Sequence, residues 1–164
     1  MRYYLAPMEG ITGYIYRRAQ HALFPAFDKY FSPFLAPRPK KTFNAREVRD
    51  ILPENNEGMV LVPQILTNRA EDFIRAAEKL LEYGYHEVNL NLGCPSGTVA
   101  SKGKGAGFLA QPQLLEAFLE EIFSAFPVSA DGESRMEISI KTRLGMEEAE
   151  EFLPPMELDQ RDPL

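Results

Sequence analysis

The sequence predicts an α/β domain assembled from repeated strand–helix units with parallel strands. Two observations carry this. Short apolar runs alternate with amphipathic stretches of helical period along the chain. Those stretches open on polar capping residues and close at glycine or proline. About five such βα units can be marked, and the pattern leaves two closures open, a doubly wound sheet or a barrel.

Residues 3–6 read as a first strand, and Thr12 is placed to cap the helix that follows, which ends before Pro25. Residues 29–32 read as a second strand, with a polar loop bearing Pro33, Pro37 and Pro39 after it. A second helix begins near Asn44, with Glu47 as its capping-box partner, and stops before Pro53. Residues 60–65 are a β-rich run, although Pro63 inside it objects to a regular central strand. Asn68 and Glu71 repeat the capping spacing, and Phe73, Ala76, Ala77, Leu80 and Leu81 then form one apolar face. Gly84 supplies a left-handed stop. Residues 87–91 are a fourth strand, followed by a long glycine-rich loop over 93–107. Pro112 opens a helix with apolar positions at Leu114, Leu115, Phe118, Leu119, Ile122 and Phe123. Residues 138–142 read as a fifth strand. After Gly145 an acidic segment to Phe152 starts a fifth helix, which Pro154 and Pro155 end.

With 164 residues, 45% of them apolar and 26% charged, the chain suits one ordinary domain. No run approaches the roughly 18 apolar residues of a membrane helix. The opening residues lead directly into a strand and lack the apolar core and small-residue cleavage site of a signal peptide. A single cysteine fits a reducing compartment. A cytoplasmic protein is therefore expected. The net charge of −6 argues mildly against nucleic acid, whose phosphates attract Lys and Arg. Acidic residues concentrate at Glu116, Glu120 and Glu121 and again at Glu147, Glu148, Glu150 and Glu151. Two local basic groups, Arg38 with Lys40 and Lys41, and Lys102 with Lys104, fall on loops.

Cys94 directly follows the fourth strand, between Gly93 and Pro95. Reactive groups gather at the C-terminal ends of strands in both closures. A lone cysteine is also read as a buried small hydrophobe; the flanking turn residues and the strand-end position balance that with a nucleophile or general acid. No histidine stands in a related position: His21 is late in the first helix and His86 opens the fourth strand, both structural or surface positions. Gln64, Asn91 and Lys141 end the third, fourth and fifth strands and bring two amides and a cation to one mouth. Singly, each also reads as a solvated rim residue. The run Gly103-Lys104-Gly105-Ala106-Gly107 fails as a phosphate loop, because Phe108 stands where a dinucleotide fingerprint needs glycine and no Gly-Lys-Ser/Thr follows. It reads instead as a loop over a substrate site. No cluster has metal-ligand spacing.

Two stretches resemble a known family. Leu5-Ala6-Pro7-Met8-Glu9-Gly10-Ile11-Thr12 is similar to the opening of the tRNA-dihydrouridine synthases. Asn89-Leu90-Asn91-Leu92-Gly93-Cys94-Pro95-Ser96, followed by Lys102 to Gly107, looks like their signature loop, and the spacing to Ile140-Lys141-Thr142-Arg143-Leu144-Gly145 also matches. The resemblance implies an α/β fold, the N-terminal part of a flavin-binding TIM (β/α)8 barrel, which in the family is followed by a small helical tRNA-binding domain. It implies an oxidoreductase that uses NADPH to reduce FMN, passes hydride to C6 of a uridine in tRNA, and protonates C5 from a cysteine. Carried over by position, Pro7, Met8 and Glu9 would lie along FMN, and Gln64 and Lys141 would hydrogen-bond its ring. Asn91 would contact the base, Cys94 would be the general acid, and Lys102 and Lys104 would meet the RNA backbone.

A barrel of this kind needs eight units and about 250 residues, so residues 1–164 are expected to form one incomplete barrel domain without the helical domain. The family's later histidine motif and phosphate-binding loops are missing from it. On that expectation the chain holds reaction residues but not the phosphate site, and its open sheet edges favour self-association. Two alternatives stand beside this reading: another FMN barrel such as dihydroorotate dehydrogenase, which also carries an Asn-x-x-Cys-Pro-like turn, and a non-catalytic fragment.

Overall fold

The computed structural model describes residues 1–39, 42–128, 132 and 134–144. Along the chain run β1 (Tyr4–Leu5), α1 (Tyr14–Leu23), β2 (Lys29–Phe31) and α2 (Ala45–Ile51), then a 3-10 turn (Pro53–Asn55). β3 (Leu61–Val62), β4 (Gln64–Ile65), α3 (Ala70–Glu82) and β5 (Glu87–Leu92) follow. The chain continues through α4 (Gly97–Ala100), α5 (Ala106–Leu109), α6 (Pro112–Ala125) and β6 (Glu137–Thr142).

Every described strand pair is parallel, as the repeating pattern predicts. One sheet is ordered β1-β2-β3 and the other β4-β5-β6. The two meet at Pro63, so the single strand expected over 60–65 is two short ones. The physical reason is the missing N–H of proline. Its carbonyl still serves the ladder, accepting from the Asn89 amide at 2.9 Å. On the other flank Ser32 donates to Val62 at 3.1 Å and Leu35 donates to Gln64 at 2.7 Å, so parallel pairing continues past the break.

α2 carries the predicted capping box: Asn44 Oδ1 accepts from the amides of Arg46 and Glu47, and Glu47 Oε2 accepts from the Asn44 amide at 2.7 Å. Two other caps differ from expectation. Thr12 does not cap α1, which starts after Gly13; its hydroxyl instead donates to the Met8 carbonyl and accepts from the Met8 amide at 2.8 Å, closing the turn after β1. Asn68 does not cap α3, which starts after Arg69; it donates to the Lys102 carbonyl at 3.1 Å. In both cases a competing backbone partner takes the polar side chain.

α3 buries Phe73, Ala76, Ala77 and Leu80 as its periodicity predicts, and Gly84 ends the turn after it at φ 85°. α6 opens at Pro112 and buries Leu115, Phe118 and Ile122, while Leu114 and Phe123 stay exposed. The core lies between the strands and these helices: Val88 and Leu90 of β5 join Phe73, Phe108, Phe118 and Ile122 in one buried cluster. Phe118 takes Phe73 and Phe108 edge-on, with ring centroids 6.0 and 5.3 Å away. The 93–107 stretch is not an irregular loop, because α4 and α5 fold within it. Gly107 lets them pack: a Cβ there would sit 2.2 Å from the Ala100 carbonyl oxygen. The helix expected after Gly145 lies outside the described residues.

Candidate active site

The alternation of β5 decides which side chains are available for chemistry. Val88, Leu90 and Leu92 turn into the helix-side core. Asn89 and Asn91, two residues apart, share the opposite face. Register places Gln64 and Ser139 beside Asn89, and Lys141 beside Asn91.

Those neighbours form a chain of neutral hydrogen bonds. Asn91 Nδ2 donates to Gln64 Oε1 at 2.8 Å, and Gln64 Nε2 donates to Asn89 Oδ1 at 2.7 Å. Asn89 Nδ2 donates to Ser139 Oγ at 3.0 Å. At the other end Asn91 Oδ1 accepts from the amides of Gly93 at 3.2 Å and Cys94 at 3.0 Å, which sets the turn that carries the thiol. Gln64 is 1% exposed and Asn91 6%, so these bonds form away from competing water.

Cys94 is a half-buried free thiol. The glycine-rich stretch is folded against it: the Ala106 amide donates to the Cys94 carbonyl at 3.0 Å. Gly105 has φ 55°, and a Cβ there would approach the Cys94 carbonyl oxygen to 2.8 Å. Only glycine meets both demands. Lys104 precedes it and is half-buried, whereas Lys102 is exposed.

Lys141 is exposed and shares a cleft of about 430 Å3 with Ala6, Pro7, Phe31, Asn89 and Ser139. At the other end of this cleft Lys29 donates to Glu87 at 2.6 Å; that bond raises the lysine's pKa against the opposing effect of burial. Met8 is 56% exposed beside the Thr12 turn. Glu9 borders a separate, smaller cleft with Phe34, Arg46 and Asp50. The structure thus joins Gln64, Asn91 and the Cys94 turn directly, sets Lys141 next to Asn91, and packs the stretch holding Lys104 on Cys94. No hydrogen bond among the described residues links the Met8 and Glu9 side chains to this group. A cleft of about 950 Å3 along α6 contains none of the candidate residues.

The sequence reading missed Asn89 and Ser139. The signal was present: each stands two residues before a candidate, Asn91 or Lys141, and a strand returns to the same face every second residue. Chemically, the group offers amide donors and acceptors and one thiol, and its members Asn89, Ser139 and the exposed Lys141 ammonium line a partly apolar cleft. That set suits a flat, polar heterocycle better than a metal, and no metal-ligating cluster occurs among the described residues. No described helix is long and apolar enough to cross a membrane.

Comparison with known proteins adds one family match and three relatives. Residues 4–156 match the family model for dihydrouridine synthase. The chain is 27% identical over 145 residues to a probable tRNA-dihydrouridine synthase 1 of Synechocystis, covering 88% of this chain and 38% of that protein. It is 29% identical over 153 residues to a probable tRNA-dihydrouridine synthase of Staphylococcus aureus, and 29% identical over 150 residues to one of Staphylococcus epidermidis. These alignments cover 90% of this chain but only 42% and 43% of the two relatives.

Proposed function

The chain belongs to the dihydrouridine synthase family, and from that premise we propose that it carries the flavin-contacting and proton-donating face of an NADPH-using oxidoreductase that reduces uridine to 5,6-dihydrouridine in tRNA. The hydrogen-bonded run from Gln64 through Asn91 to the Cys94 amide is the observation that carries this reading. It brings the Gln64 and Asn91 amides and the turn that carries Cys94 together at the ends of adjacent parallel strands, where barrel and doubly wound enzymes keep their chemistry.

All-parallel strands in sequence order, with β3 and β4 taken as one strand interrupted at Pro63, support reading the chain as about five βα units of a TIM (β/α)8 barrel. The chain spans roughly two fifths of the length of the curated relatives it matches. We read the described strands and helices as part of one flavin-binding barrel domain, acting in the cytoplasm. Among the described residues β1 pairs only with β2 and β6 only with β5, which supports self-association through their free edges.

The donor set fits FMN. Ala6, Pro7 and Phe31 give the cleft an apolar wall, and Lys141 puts a cation at its edge. Pro7 and Lys141 line this cleft; with Met8, Glu9 and Gln64, which the family resemblance adds, they are the residues that would hold the group. When bound, FMN supplies the hydride that reaches C6 of the uracil. Asn91 orients the base, which must first leave its stack. Cys94 delivers the proton to C5; a neutral thiol suits this, since a donor must still hold its proton. Lys102 and Lys104 meet the RNA backbone and offset locally the overall charge of −6.

The test is a reaction of the chain with FMN, NADPH and unmodified tRNA, read by mass spectrometry of the digested nucleosides. Dihydrouridine from the wild type, falling by about 10²–10⁴ in Cys94→Ala, is the expected result. Turnover of orotate with none of tRNA would move the chain to another class of FMN barrel. Equal product from Cys94→Ala would remove the thiol from its role.

A further inference from the structure

We propose that Asn89, backed by Ser139, is a positioning residue that sets which end of the Gln64 amide faces Asn91 and which end remains for the ligand. This rests on the flavin reading above. Its basis is the direction of the hydrogen bonds. An amide side chain can sit either way round, and its neighbours decide.

Here both ends of the chain are anchored by groups with only one role. The backbone amides of Gly93 and Cys94 can only donate, so the Asn91 atom they meet must be Oδ1. Asn91 is left to donate from Nδ2, and the Gln64 atom 2.8 Å away must be Oε1. Gln64 Nε2 therefore points at Asn89, which must accept through Oδ1 at 2.7 Å. Asn89 Nδ2 then donates to Ser139 Oγ, whose hydroxyl is directed onto the Val88 carbonyl 3.3 Å away. From the Cys94 amide to the Val88 carbonyl every bond runs one way.

Gln64 retains one N–H on Nε2 and one lone pair on Oε1 beyond these bonds. Asn89 keeps that N–H in place. Without an acceptor at position 89, the buried Nε2 loses its partner, and the amide must either tilt or break its bond to Asn91. Gln64 lies buried behind the cleft wall, while Asn89 itself lines the cleft that Lys141 and Pro7 border, so a change in the Gln64 amide reaches that cleft through Asn89.

The test uses the whole chain as Asn89→Leu, Asn89→Asp and Ser139→Ala, with urea unfolding to select folded protein. The readouts are FMN fluorescence quenching, the absorbance bands of bound FMN, and NMR of the Gln64 side-chain amide without ligand. Asn89→Leu is expected to weaken FMN about tenfold, the worth of one hydrogen bond, to shift the absorbance bands, and to average the Gln64 amide signals. Asn89→Asp keeps the acceptor and is expected to stay within about twofold of wild type. Ser139→Ala should fall between them and carries the comparison if Asn89→Leu does not fold. Wild-type affinity in folded Asn89→Leu, or Asn89→Asp as weak as Asn89→Leu, would overturn the proposal. If the wild type binds no FMN, the flavin reading fails. The NMR still decides the orientation: distinct Gln64 signals retained in Asn89→Leu would sink it, and their loss there with retention in Asn89→Asp would uphold it.

Discussion

The polar cluster around Arg17 and the one around Gln64 are both buried, yet they use their hydrogen-bonding capacity in opposite ways. Arg17 is wholly buried and every nitrogen of its guanidinium is engaged. Nη1 reaches the Thr12 carbonyl at 2.8 Å and Asp50 Oδ2 at 3.1 Å. Nη2 reaches the Asp50 carbonyl at 2.6 Å and Asn56 Oδ1 at 2.8 Å, and Nε also meets Asn56. Burial lowers the arginine's pKa and Asp50 opposes the shift. A buried charge is tolerable only when it is paired and fully bonded, so this cluster is closed and fastens α1, α2 and the 3-10 turn together. The Gln64 chain is neutral, runs one way, and ends at the Cys94 turn with capacity to spare. A closed ionic cluster is what a joint between elements needs; an open amide chain is what a binding site needs.

Arg17→Met offers the largest test of this contrast. Removing one partner of a buried pair costs about 3–5 kcal/mol, measured by urea unfolding, and a loss below about 1 kcal/mol would erase the structural half of the comparison. Asn91→Leu should cost less, about 2 kcal/mol for the donors and acceptor it strands, but should change the alkylation rate of Cys94 when Arg17 variants that still fold do not. An unchanged thiol rate would show that Asn91 does not hold the Cys94 turn.

The two clusters also separate by pH. Tyr85 donates to the Ile51 carbonyl beside the ionic cluster, and burial pushes its pKa up from 10.0 to about 12, with Arg17 opposing and Asp50 and Glu54 adding to the rise. Its folded value lies above its unfolded one. The stability this contributes is present in full below pH 10.0 and is lost as pH rises through about 12. A decline of about 1–2 kcal/mol is expected across that interval, and it should flatten in Tyr85→Phe. An equal decline in Tyr85→Phe would assign it elsewhere. The smallest effect belongs to a surface joint: Asn44→Ala should cost about 1 kcal/mol by removing the cap of α2, with no change in FMN affinity.

These regions were legible in the sequence to different depths. The Asn44–Glu47 box could be read because both partners lie within one turn of chain. Asn68–Glu71 has the same spacing and fails, since the Lys102 carbonyl, distant in sequence, captures Asn68. Thr12 fails likewise through Met8. Pro63 was an objection in sequence and is a break in structure, because its lack of an N–H is local chemistry. Gln64, Asn91 and Cys94 could be picked out at strand ends, and Asn91 bonds both to Gln64 and to the Cys94 backbone amide. Asn89 and Ser139 gain their role only from long-range pairing, since their bonds to Gln64 and to each other form once β4, β5 and β6 lie side by side. The Arg17 cluster joins residues nearly forty apart and leaves no periodic trace.

The most direct measurement is a titration of FMN into the purified chain, following quenching of flavin fluorescence, with Gln64→Ala beside it. Saturable binding that weakens about tenfold in Gln64→Ala is the result the open amide chain predicts. Binding that ignores Gln64→Ala, or no binding in a chain that folds cooperatively, would contradict it.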